Sequence, residues 1–384
     1  MTGATRGEYS KQIQLCYLCP MSGVGHGAVS GERAVTIVSN NTPILAITMG
    51  DGAGIGPEIV VKALSQAKVH ELCRPLVIGD VMTLSRSLQF VPGNVHPRIV
   101  PVTKPADVDW HDVTAIPVLQ PGDALAGVRP GQLSAAAGRG AVEYVLAACE
   151  LAKRGAVAGI VTAPLNKEAM RLAGYPHPGH TELLAEQFGV KHYSLVLSAR
   201  GQFIFHVTTH VSLRRALDLI TRERILSQIR LAHLLAGALG HGDQPIAVAG
   251  VNPHAGEGGL FGDEEITTIG PAVSAAQKEK IPAIGPLPAD VLFPRAAQGR
   301  YRFVIAMYHD QGHTVFKTLY FDEGVNVTVG LPTIRTSVDH GTAFDIAGRG
   351  IASTASLVEA IRLAAQLGPK WTEIHAAAQL AITD

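Results

Sequence analysis

What the chain lacks narrows its function before any motif is read. No stretch of about 18 uninterrupted apolar residues occurs, so a membrane-spanning helix is excluded. No sign of charge dominates, since 32 Lys and Arg stand against 32 Asp and Glu. Nucleic-acid binding, which draws on a basic face, loses its simplest argument. Four cysteines in 384 residues are too few for a disulfide framework. Cys149 falls on a helical stripe with Val142, Val145 and Ala152 and reads as core, while Cys73 sits between a helix and a strand with no evident partner. Cys16 and Cys19 form one C-x-x-C without the second pair of a zinc ribbon or the βα setting of a redox motif. This cysteine usage fits a reducing compartment, hence the cytoplasm. Repeats and low-complexity tracts are absent too. With 47% hydrophobic and 17% charged residues, a core-rich α/β protein remains, long enough for two or three domain-sized units.

Residues 1–42 mix Ser, Thr, Gly and Asn without a sustained period and contain Met21 as an alternative start. They lack the basic-then-apolar build of a secretory signal and read as a loosely ordered extension. From Pro43 the pattern changes. Ile44–Thr48 reads as a strand, the Gly-rich stretch from Gly50 to Gly56 as a turn, and Pro57, Glu58 and the Ile59–Leu64 stripe as a helix start. Further strands are expected at Leu76–Ile78, Val157–Thr162, Ser194–Leu197, Phe203–Thr208, Ile246–Val251, Phe303–Met307 and Val325–Val329. Helices are expected over 131–155 and Arg222–Leu239. The pair at 194–208 reads as a hairpin, which makes the sheet mixed.

The Gly-rich turn fails the dinucleotide fingerprint, because Ile55, Pro57 and Ile59 break every register of G-x-G-x-x-G. Asp80, at the end of the next strand, would suit a ribose hydroxyl, but without the fingerprint that reading loses its mechanism. Three histidines, His210, His254 and His309, end predicted strands among polar or Gly-rich residues. They read either as ligands of a Lewis-acid metal or as strand-end residues that cap carbonyls or face solvent; His206 and His313 are taken as non-ligands. Lys317, Asn326, Arg335 and the Gly179-His180-Thr181-Glu182 cluster offer cationic and polar donors suited to phosphate, although each alone could be a solvated surface group. The polar, Gly-containing stretch from Thr336 to Gly348 reads as a loop, either a cofactor loop or an elaborate turn, before a helix with Leu357, Ile361 and Ala364 on one face.

The ordered set I-T-M-G-D-x-A-G-I-G-P-E (47–58), G-H-T-E (179–182), T-T-H (208–210), N-P-H-A-G-E-G-G (252–259), G-P-L-P-A-D (285–290), M-Y-H-D-Q-G (307–312) and G-L-P-x-I-R-T-S-V-D-H-G-T-A (330–343) resembles the 4-hydroxythreonine-4-phosphate dehydrogenase (PdxA) family over residues 43–368. The run 340–348 is also similar to the cofactor loop of isopropylmalate and isocitrate dehydrogenases. The resemblance implies their α/β/α two-domain fold with mixed sheets and a cleft site. A cofactor-side domain would take 43–160 plus 331–384, and a metal, substrate and dimerisation domain 161–330. His210, His254 and His309 would bind a divalent metal (Zn, Mg, Mn or Co), shared across a homodimer. His180, Thr181, Lys317, Asn326 and Arg335 would hold a phosphorylated small molecule. His340, Gly341, Thr342, Ala343 and Asp345 would lie along NAD, with Asp345 selecting against NADP. Oxidation of a hydroxyl to the 3-oxo acid and loss of CO2 would follow, with Lys317 or Asp290 taking the hydroxyl proton.

Gly52 stands where the family has Pro, and Phe316 and Tyr320 bring extra bulk around Lys317. The segments 175–180 and 321–326 resemble the 4-phosphothreonate and 4-phosphoerythronate branch more than the vitamin B6 branch. A dihydrodiol dehydrogenase of the same family, a three-His metallohydrolase and a catalytically idle sensor are the alternatives.

Overall fold

The computed structural model describes residues 42–93, 97–321 and 323–383. Cys16, Cys19, Met21 and nearly all of the expected extension lie outside them. The described residues form one compact unit.

The elements follow the apolar pattern closely. The first part of the chain runs β1 (Ile44–Thr48), α1 (Gly56–Leu64), α2 (Ala67–Leu72), β2 (Arg74–Ile78), α3 (Val81–Ser87), β3 (Arg98–Val102) and β4 (Ala115–Leu119). Next come α4 (Ala135–Lys153), β5 (Gly159–Thr162), α5 (Lys167–Leu172), α6 (His180–Phe188), β6 (Ser194–Ala199) and β7 (Gln202–His206). Then α7 (Leu213–Leu219), α8 (Arg222–Ala238), β8 (Ile246–Ala249), α9 (Gly270–Lys278), β9 (Ala283–Leu287), α10 (Ala289–Ala297) and β10 (Phe303–Ala306) follow. The chain closes with α11 (His309–Tyr320), β11 (Val325–Val329), β12 (Ile334–Val338) and α12 (Ala355–Thr383).

The twelve strands of the described residues join one mixed sheet in the order β3-β4-β2-β1-β5-β12-β11-β6-β7-β10-β8-β9. The first six, from β3 to β12, pair in parallel. β11 and β6 are antiparallel to their neighbours, and β7, β10, β8 and β9 are again parallel to one another. Parallel strands covered by helices explain why most of the expected strands are uninterrupted apolar runs. The β6–β7 hairpin turns on Arg200 and Gly201, both at positive φ, which suits a tight two-residue connection.

One expectation is corrected. Thr336, Ser337 and Val338 belong to β12, a buried strand, and not to a loop; the loop begins at Asp339. Thr336 has its partner inside: its hydroxyl donates to the Ala360 carbonyl at 2.8 Å. The helix expected after it is α12, with Leu357, Ile361 and Ala364 buried.

The Gly-rich turn is a packing device. Gly50 has φ +73°, and a side chain there would run into the Pro164 carbonyl. Gly54 abuts Thr342, whose carbonyl accepts from the Ile55 N–H at 3.0 Å. The turn thus ties β1 to the end of β5 and to the loop after β12. Asp80 is spent on backbone, accepting from the Thr83 and Leu125 N–H groups, so it is not a ribose acceptor. Leu125 fills the space beside Gly52, and Phe316 is core, packed edge-on to Tyr320. Cys73 and Cys149 are buried free thiols, each pushed up to about 12 by burial.

Candidate active site

Register places the site's floor. Thr162, Ser337, Asn326, Leu197 and Ile204 pair in one row across β5, β12, β11, β6 and β7. Ile160, Arg335, Thr328 and Leu195 form the row beside it. Paired residues share a face, so Thr162, Arg335, Ser337, Asn326 and Leu195 all point to one side. That side opens into a cavity of about 840 Å3, walled by the Pro164–Lys167 segment, the start of α6, the Val207–Val211 segment and the Asp339–Gly341 loop.

Arg335 is the most unusual group in it. It is 2% exposed, yet its guanidinium donates only to hydroxyls: Nε and Nη2 to Thr162 at 3.1 and 2.6 Å, and Nη1 to Thr328 at 3.2 Å. No carboxylate pairs with it among the described residues. Burial lowers its pKa to about 9, against the weaker pull of Glu182. A buried cation left without an anion is costly, and a ligand oxyanion would relieve that cost. His180 and Thr181 open α6 beside it, after Gly179 at its N-cap. The His180 Nε2 is buried without a partner, and its pKa lies well below the ordinary histidine value through burial and then the charges of Arg335 and Lys167.

Lys317 and Asn326 meet through a residue that motif reading left without a role. The Asp339 carboxylate accepts from the Lys317 ammonium and, at 3.1 Å, from the Asn326 Nδ2. The Lys317 ammonium also reaches the Asp339 carbonyl at 3.0 Å. The Asn326 Oδ1 stays buried and unpaired. Asp290 is elsewhere: it starts α10, lines a separate groove of about 650 Å3 between α10 and α11, and acts electrostatically on His254. No contact joins it to Lys317 among the described residues.

Four histidines converge near the end of β7. The rings of His210 and His309 lie 5.5 Å apart, and His309 stacks on His313 at 3.7 Å. The His313 Nδ1 meets the His206 Nε2 at 3.1 Å. Burial keeps His210, His206 and His313 below the ordinary histidine value, with His313 at about 4. Neutral imidazoles are the ligating form.

His254 stands apart, exposed on a loop where His254, Ala255, Gly256, Glu257 and Gly258 all hold left-handed backbone. Such a run is strained and persists only where surroundings fix it. Glu265 does so, its carboxylate accepting from the Val251 and Asn252 N–H groups at 2.7 and 2.8 Å. His254 and His309 share a device: each Nδ1 faces a carboxylate, Glu257 at 3.0 Å and Asp310 at 2.7 Å. This leaves Nε2 outward, the arrangement that orients metal-binding imidazoles. Among the described residues no three His, Cys, Asp or Glu side chains form a metal-binding group. One chain therefore fits a metal in part, with the rings of His210 and His309 together and His254 exposed beside Phe261.

The expected cofactor segment bridges two features. His340 and Gly341 line the main cavity, whereas Thr342 is buried against the Gly-rich turn. Ala343 takes φ +43°, its carbonyl accepting from the Ile346 and Ala347 N–H groups, and Asp345 is exposed.

Residues 71–364 match the family model described as pyridoxal phosphate biosynthetic protein PdxA. The D-threonate 4-phosphate dehydrogenase of Bordetella bronchiseptica is 55% identical over 333 residues, covering 86% of this chain and 94% of that protein. Among solved structures, a 4-hydroxythreonine-4-phosphate dehydrogenase from Klebsiella pneumoniae superposes with a TM-score of 0.77 at 45% identity, covering 86% of this chain and 99% of that one. A terephthalate 1,2-cis-dihydrodiol dehydrogenase from Burkholderia xenovorans gives a TM-score of 0.61 at 29% identity, covering 84% and 98%.

Proposed function

The chain belongs to the PdxA family, and from that premise we propose that it is an NAD-dependent dehydrogenase of a 4-phosphorylated hydroxy acid, D-threonate 4-phosphate first among them. The observation that carries the substrate class is the cavity's charge. Lys167, Lys191, Arg224 and Arg335 line it against Glu182 and Asp339, and the Asp339 carboxylate already serves Lys317 and Asn326. A doubly anionic substrate fits that surplus, and the buried Arg335 suits an oxyanion.

In this reading His180, Thr181 and Arg335 take the phosphorylated end. Lys317 and Asn326, held by Asp339, face the hydroxy-acid end. A bound divalent ion (Zn, Mg, Mn or Co) supplies Lewis acidity at the substrate hydroxyl. His210 and His309 would hold it from one chain. His254 of a second copy, oriented by Glu257, would complete the set in a homodimer. Leu260, Phe261 and Ile266, large apolar side chains exposed close to His254, support such a contact. His340–Asp345 would hold the nicotinamide, which would supply a hydride acceptor for the carbinol carbon, and the hydroxyl proton would pass to Lys317 in its neutral amine form or to Asp290. The bond from Lys317 to Asp339, which lines the cavity, favours Lys317, since Asp290 would have to arrive with the second copy's His254. The resulting 3-oxo acid loses CO2. In this reading the two domains take 43–160 plus 331–384 and 161–330, and no membrane or nucleic acid takes part.

The test is NADH appearance with purified protein, NAD and divalent metal. The panel holds D-threonate 4-phosphate, D-erythronate 4-phosphate, 4-hydroxythreonine 4-phosphate and unphosphorylated controls. Turnover confined to the phosphorylated acids is expected. Turnover of an unphosphorylated dihydrodiol instead would move the activity to the terephthalate type.

A further inference from the structure

We propose that Lys167 is a further anion-binding residue of this cavity, closing on the phosphate end of the substrate opposite Arg335. This rests on the reading of the site as one for a phosphorylated hydroxy acid. Lys167 is the first residue of α5, directly after the segment that leaves β5 at Thr162. Its backbone is firmly held. The Asn166 side chain caps the helix by accepting from the Ala169 N–H at 3.0 Å. The helix also packs so tightly on α4 that a side chain at Gly138 would strike the Ala169 carbonyl.

From that anchor the Lys167 side chain lies across the start of α6. Its Cε is 3.6 Å from where a Cβ would stand on Gly179, the residue preceding His180. No hydrogen bond or ion pair engages its ammonium among the described residues. Glu182, the nearest acidic group on α6, faces the same glycine without pairing to it. The charge of Lys167 reaches both His180 and His210, and acts alongside Arg335 on the former. The other cations of the wall are placed differently. Arg224 donates to the Val207 carbonyl at 2.9 Å, and Lys191 follows the far end of α6. Lys167 on α5 and Arg335 on β12 thus line the same cavity as His180, whose Nε2 has no partner. A dianionic phosphate between them would satisfy all three groups.

The experiment uses the full chain and inorganic phosphate as probe, measured by calorimetry on the wild type, Lys167→Met, Lys167→Gln and Lys167→Arg. Thermal midpoints confirm that each variant is folded. The neutral variants are expected to bind phosphate about tenfold or more weakly, while Lys167→Arg keeps most of the affinity. In steady-state assays with D-threonate 4-phosphate, the neutral variants should raise KM by a similar factor and change kcat by less than about threefold. A wild type that does not bind phosphate, or neutral variants that bind it equally well, would overturn the proposal. Unchanged binding in the variants with normal dehydrogenase activity removes Lys167 and leaves the function standing. Lost binding in the variants of a protein that never forms NADH keeps Lys167 and removes the function.

Discussion

Arg335 spends two of its nitrogens, Nε and Nη2, on the single hydroxyl of Thr162. A buried guanidinium is thereby held by neutral oxygens in a fixed plane, its charge left for a ligand.

The first prediction follows from that plane. Lysine offers a point charge and no fork, so Arg335→Lys loses the two-point hold on Thr162 and the bond to Thr328. We expect KM for the phosphorylated substrate to rise by about a hundredfold, from two lost charge-assisted bonds. Initial-rate kinetics check this, and an unchanged KM would take Arg335 out of the substrate site.

A second prediction concerns subunit sharing. His210→Ala and His254→Ala should each abolish metal retention and turnover. Mixed in one preparation, they should regain about a quarter of wild-type activity, because half of the dimers are mixed and each of those has one intact site. Metal content and activity of the mixture measure this. No recovery would place all three histidines in one subunit's site.

Asp339→Asn keeps the shape but removes the charge that holds Lys317. The expected loss is about tenfold to a hundredfold in kcat/KM, with the overall fold intact. Lys317→Ala should lower kcat as well as raise KM, and a double mutant no worse than Lys317→Ala alone would show that Asp339 acts through the lysine. Additive losses would argue that it acts separately.

Asp51 gives a pH prediction. It is buried, its Oδ1 accepts from the Ala53 N–H at 2.8 Å, and its Oδ2 has no partner. Burial raises its pKa from 3.8 to about 6. Its contribution to stability is fully present below pH 3.8 and is lost as pH rises through about 6. At pH 8 the ionised carboxylate costs roughly 3 kcal/mol, from a shift of about two units. Asp51→Asn should therefore be more stable than the wild type at pH 8, with the difference shrinking toward pH 4. Denaturant unfolding of both proteins across that range tests it, and a pH-independent difference would refute it.

Much of this was legible in the sequence, and the exceptions have physical causes. β1 and β11 have the expected bounds: β1 is an apolar run covered on both faces, and β11 alternates, with Asn326 and Thr328 on the face that bears the cavity. β12 was misread because Arg335, Thr336 and Ser337 look like loop residues. They tolerate burial only through partners such as Thr162 and Ala360, which lie far away in sequence. β3, β4 and β9 were missed as well; each carries a proline, Pro101, Pro117 and Pro286, and β3 and β9 are the edge strands. In the site, His210, His309, Lys317, Asn326 and Arg335 stood out by motif. Asp339 and Lys167 did not, since a carboxylate's partner and an ammonium's solitude are set by tertiary contacts. The separation of His254 and Asp290 from the other site residues is likewise a matter of packing that spacing does not encode.

The cavity's floor is the middle of a twelve-strand ladder, and this limits where the protein can yield to a ligand. Thr162, Ser337, Arg335 and Asn326 sit on strands bonded on both sides, so displacing any one of them would tear backbone hydrogen bonds along its neighbours. Two of the walls differ: the start of α6 and the Asp339–Gly341 loop lie outside the sheet ladder, whereas the Pro164 and Val207 segments are tied to their neighbours by backbone bonds. The floor therefore behaves as an anvil, and whatever closing occurs on substrate falls to those two walls coming down on it.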